Sequence, residues 1–84
     1  MTVTQQRVRE IERLAEVRAL AASGEARRIR LAAKLSQGDL GRACDVTESA
    51  VSRWENGERV PRGRAALVYG QVLAMLRDRV GAAA

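Results

Sequence analysis

Apolar residues recur along the chain at spacings of three and four, and no stretch alternates apolar with polar for more than a few positions. That period is helical, so helices are predicted throughout and strands are not. Helix-breaking marks fall at Ser23-Gly24, Ser36-Gln37-Gly38, Asp45, Asn56-Gly57 and Arg59-Val60-Pro61-Arg62-Gly63. They divide the chain into five helix-sized pieces.

The first piece, Thr4 to Ala22, has no Gly or Pro and is rich in helix formers. Val8, Ile11, Leu14 and Ala15 gather on one side and Val17 and Leu20 on another, while Arg7 and Arg18 intrude on the first stripe. Such a helix is expected to touch two surfaces or to stay partly exposed. The second follows Ser23, an expected N-cap, with Glu25 favouring the helix dipole in the first turn. Its face is Ala26, Ile29, Arg30 and Ala33, closed by Leu35; Leu31 points the other way, either into solvent or against the first helix.

The third piece runs from Gln37 to about Cys44, capped by Ser36 with Asp39 as the capping-box acid, and Leu40, Ala43 and Cys44 are expected inside. A tight turn at Asp45-Val46 leads to Thr47, the N-cap of a helix reaching about Asn56. Val46 and Val51 form a hydrophobic staple. Val51, Trp54 and Glu55 share one face of that helix, and Ser49 and Arg53, with Ser52 and Asn56 beside them, share the opposite one. Asn56-Gly57 ends it, and Pro61 precedes a last helix starting near Arg62. Ala65, Tyr69, Val72, Leu73, Leu76 and Val80 lie in a broad stripe, widened by Val68 and Met75. It is wide enough for the core and the first helix together. Trp54 is read as a core anchor, Cys44 as a small buried hydrophobe, and Tyr69 as a core residue whose hydroxyl reaches solvent.

With 84 residues the chain has room for one domain. The expected organisation is an N-terminal helical extension over 1–22, a core over 23–80 and a tail over 81–84. One cysteine, Cys44, and no histidine leave no disulfide within the chain and no ligand set for zinc. No cofactor is expected. No apolar run approaches a membrane span and no signal-peptide pattern opens the chain, so a soluble, cytoplasmic protein is expected. The net charge is +5, and fourteen of the fifteen basic residues are arginine. A polyanionic partner fits that balance, and arginine offers phosphate and guanine a bidentate fork.

The segment Leu35-Ser36-Gln37-Gly38-Asp39-Leu40 through Val51-Ser52-Arg53-Trp54-Glu55-Asn56-Gly57, with Pro61 after it, resembles the phage-repressor and Cro-type helix-turn-helix family, the Xre family. The resemblance covers about half of the chain from Arg30 onward and is far more specific than a single short motif. It implies an all-α, lambda-repressor-like five-helix bundle, with the N-terminal helix as an addition, and a bacterial or phage origin. By position it implies that Gln37 meets a phosphate, that Glu48, Ser49 and Arg53 reach base edges, and that Asn56 contacts the backbone. Arg30 and Glu55 match a structural ion pair. Asp45 stands where the family usually has Gly, and Gly41 where it usually has Ala; Asp tolerates a left-handed turn and Gly preserves close approach of the two helices.

A recognition helix enters the major groove while its predecessor crosses the backbone. Arg53 can take guanine O6 and N7; Ser49 suits a base or a phosphate; Glu48 can accept from cytosine N4 or orient Arg53. Thr47 and Ser52 flank this set, and Arg59, Arg62 and Arg64 follow it towards the neighbouring backbone. The bland alternative is a solvated helix face and a solvated basic loop. The expected partner is double-stranded operator DNA bound by a repressor, with a homodimer as one arrangement and no membrane. Two other readings are an antitoxin with a toxin partner that also regulates its own promoter, and the DNA-binding fragment of a longer repressor. No catalytic constellation is visible, so an enzyme is not expected.

Overall fold

The computed structural model describes residues 3–83. Five helices follow one another, α1 (Val3–Ser23), α2 (Glu25–Ala32), α3 (Gln37–Cys44), α4 (Glu48–Glu55) and α5 (Gly63–Ala83). No strand occurs among the described residues, so the all-α class and the five-piece division hold.

Two boundaries differ from the sequence reading. Ser23 is the last residue of α1, not the cap of α2, and Gly24 alone separates the helices at φ 87°. Glycine reaches that left-handed conformation without a Cβ clash, so the break needs only one residue. Ser23 still helps, because its Oγ accepts the Glu25 N–H at 3.2 Å. At the other end α5 begins at Gly63 and continues through Ala83, so positions 81–83 are helix where a tail was expected.

All five helices contribute to one core. Val17 and Ala21 come from α1, Ala26 and Ile29 from α2, Leu40 and Cys44 from α3, Val51 and Trp54 from α4, and Ala66, Tyr69, Leu73 and Leu76 from α5. At its centre the Trp54 and Tyr69 rings lie 4.7 Å apart, tilted by 33°, within the range where aromatic pairs add to simple burial. Gly70 marks where α5 meets α1: a Cβ there would stand 3.4 Å from the Val17 Cβ, an ordinary packing distance.

The core corrects several side-chain expectations. Of the two stripes on α1, the one holding Val17 packs inward, extended by Ala21 and by half-buried Leu14 and Leu20. Val8, Ile11 and Ala15 remain exposed. Both stripes have helical spacing, and only the placement of α5 decides between them. Ala43 faces solvent, because Leu40 and Cys44 complete the narrow inward edge of an eight-residue helix. Leu31 and Met75 are exposed as well. The Tyr69 hydroxyl does not reach solvent: the residue is 1% exposed and its Oη is buried with no hydrogen-bond partner. Burial holds its pKa far above the usual phenol value.

Candidate nucleic-acid interface

The unit that presents the candidate residues is built by caps. Ser36 Oγ accepts the Asp39 N–H at 2.9 Å, and the Ser36 N–H donates to Asp39 Oδ2 at 2.9 Å. This reciprocal box starts α3 and holds the Asp39 carboxyl below its usual pKa, chiefly through the backbone bond from Ser36. Asp45 ends α3 in the left-handed conformation at φ 57°, ψ 44°. The chain then doubles back so tightly that a Cβ on Gly41 would lie 2.8 Å from the Val46 carbonyl oxygen. Thr47 restarts the helix, its side chain accepting the Ala50 N–H at 3.0 Å. Each local residue choice therefore favours the same angle between α3 and α4.

Behind α4, Val51 and Trp54 are buried. Glu55 shares that face, with 1% of its side chain exposed. It accepts from Arg30 Nε at 2.7 Å, Arg30 Nη2 at 2.9 Å and Gln37 Nε2 at 3.0 Å. Arg30 Nη1 also donates to the Leu35 carbonyl at 2.9 Å. Burial alone raises the Glu55 pKa, but the bonds from Arg30 and Gln37 and the charges of Arg30 and Arg27 outweigh it, and the net shift is downward. The same pairing raises the Arg30 pKa. The Arg30–Glu55 pair expected from the resemblance is thus present, and it ties α2, the start of α3 and the end of α4 into one body.

Gln37 was expected at a phosphate, yet its amide nitrogen is turned inward to Glu55. Gln37 and Gly38 at the start of α3 are half-buried, and the capping box takes the Asp39 N–H; the first N–H groups of a helix favour an anion. Thr47, Glu48, Ser49, Arg53 and Asn56 are exposed and Ser52 is half-buried. The Thr47 hydroxyl is committed to capping, and Ser52 Oγ accepts from Asn56 Nδ2 at 3.4 Å. Ser49 and Arg53 stand on the side of α4 opposite Val51 and Trp54, as the helical period required. Glu48 does not pair with Arg53; its carboxylate lies beside Gly38 of α3, as does the Arg42 guanidinium, each 3.8 Å from where a Gly38 Cβ would be.

Arg59, Arg62 and Arg64 are exposed around the loop that leads into α5. That loop is held at both ends. The Arg53 carbonyl accepts the Glu58 N–H at 2.9 Å, and the buried Pro61 offers its carbonyl to Arg18 Nε of α1 at 2.9 Å. The Arg18 contact was not legible in the sequence, where that arginine only interrupted an apolar stripe. Arg42 lies outside the pattern's base-reading positions; it is exposed, and its guanidinium pairs with the Asp39 carboxylate one turn earlier in α3. Among the described residues no group of His, Cys, Asp or Glu could hold a metal ion. Among the described residues, too, no helix is long and apolar enough to cross a membrane.

A family model described as helix-turn-helix matches residues 27–73, from α2 into α5. No curated protein and no solved structure matches the chain.

Proposed function

Because the chain belongs to the Xre/Cro/lambda-repressor type of helix-turn-helix proteins, whose members are DNA-binding regulators, we propose that it is a sequence-specific transcriptional repressor with α4 as its recognition helix. The observation that carries this reading is the division of α4 into two faces. One, Val51, Trp54 and Glu55, is locked to the core; the other, Ser49 and Arg53, is bare. A rigid helix with an exposed polar edge suits the major groove, and Arg53 is free to donate two bonds to a guanine.

In this reading Thr47, Ser52 and Asn56 border the groove, and the start of α3 at Gln37 faces a phosphate through its backbone N–H groups. Arg42, Arg59, Arg62 and Arg64 reach the flanking backbone. The module works in pairs, setting two recognition helices about 34 Å apart on a pseudo-palindrome. Sites are selected from random duplexes and then bound by variants. Arg53→Ala is expected to relax preference at one base pair of each half-site by about 1–3 kcal/mol. Arg59→Ala weakens all sequences alike. Unaltered base preference in the Arg53 variant contradicts the assignment.

A further inference from the structure

The first half of α1 carries an apolar stripe that nothing in the fold covers. Val8 is 51% exposed and Ile11 65%, and Thr4 and Ala15 beside them are exposed too. At about 100° per residue these four positions fall within ~60° of one another and ~130° away from Val17 and Ala21, which face the core. The stripe is therefore a second apolar face and not a ragged edge of the first. Arg18, bonded to the Pro61 carbonyl, closes it at the end nearer the body.

The charges around it identify what fits there. Over residues 4–16, Arg7, Arg9 and Arg13 balance Glu10, Glu12 and Glu16, so this stretch is neutral in a chain of net charge +5 and lacks the excess of positive charge a phosphate-binding surface carries. The same spacing puts Arg7 and Arg18 on one border of the stripe and Gln5 and Glu12 on the other. We propose that Thr4–Ala15 is a self-association arm, and that its occupant is the same stripe of a second copy lying parallel to it. Two-fold symmetry about parallel helices sets the basic border of each against the acidic border of the other. Arg7 then faces the partner's Glu12, twice over, as flanking charges do in parallel coiled coils. An antiparallel pair sets like borders together.

The arm lies outside the matched region, which begins at residue 27. Its seam is ~18 Å long, too short to bury the ~1,200 Å² of a standard stable interface. Association is therefore weak in free solution and rises when one duplex holds two copies side by side. That last step rests on the paired DNA binding proposed above; the self-association itself does not.

The test is sedimentation equilibrium of the full chain over a concentration series without DNA. The native mass is expected to climb towards a dimer, whereas Ile11→Glu stays monomeric at the same concentrations with unchanged helicity and melting. Arg7→Glu weakens association at least several-fold, and adding Glu12→Arg restores it. Oxidised Thr4→Cys forms a covalent dimer, while the native chain, whose Cys44 is buried, does not. Identical behaviour of native and Ile11→Glu chains overturns the arm. Association without a Thr4→Cys disulfide overturns the parallel arrangement. Failure of DNA binding alone leaves both results standing, so the two proposals fail separately.

Discussion

Glu55→Gln keeps the side-chain volume and removes one charge from the network behind α4. The carboxylate accepts three hydrogen bonds, two from Arg30 and one from Gln37. An amide accepts on one oxygen only, and its NH2 then meets another donor. Arg30, with 8% of its side chain exposed, is left charged and underpaired. Removing one partner of a buried pair costs about 3–5 kcal/mol; with one acceptor retained, the lower end applies. Each kcal/mol moves the midpoint of a domain this size by about 4–8 °C, so melting is expected to fall by about 12–24 °C. Trp54 fluorescence and far-ultraviolet circular dichroism report the transition. Acid adds a second check. The folded Glu55 pKa is depressed, so its contribution is full above the unfolded value of about 4.3 and disappears as pH falls through the folded one. The native chain loses this stability as pH falls below about 4.3, and the gap to Glu55→Gln closes. A midpoint within 4 °C of native at neutral pH, on the order of a single kcal/mol, refutes the clamp.

Three further outcomes test the packing. Deleting residues 1–22 removes Val17 and Ala21 from the core with Leu14 and Leu20 beside them and is expected to cost about 3–5 kcal/mol; an unchanged melting midpoint contradicts the docking of α1. Gly41→Ala gains about 1 kcal/mol of helix propensity but drives a methyl against the Val46 carbonyl, so chemical denaturation should show a net loss of about 1–3 kcal/mol, and a gain would mean the turn yields. Tyr69→Phe removes a buried hydroxyl with no partner and should leave stability equal or about 1 kcal/mol higher; a clear loss would reveal a partner for that hydroxyl.

The two-helix unit was legible because its signals are local. Ser36, Asp39, Asp45 and Thr47 each act on backbone groups within a few residues, and each does in the structure what its residue type suggests. The outward set on α4 follows from period alone once Val51 and Trp54 point inward. The ion pair came from the resemblance, not from spacing, since Arg30 and Glu55 are 25 positions apart. What the sequence hid is tertiary. Nothing local distinguishes the Val17 stripe of α1 from the Val8 and Ile11 stripe, and nothing local turns the Gln37 amide towards Glu55. The Arg18 contact with Pro61 spans 43 positions. The resemblance itself stops short of α1, the helix whose outer face the fold leaves bare.

The central claim is that the bare face of α4 and the arginines around it hold duplex DNA. The most direct measurement is the affinity for a selected duplex across a salt series. If three to six basic groups neutralise phosphates, log K should fall against log salt with a slope of about −3 to −5, and Arg59→Ala should flatten that slope by about one unit while Arg53→Ala changes base preference. An affinity that ignores salt, or a selection that yields no preferred sequence, contradicts it.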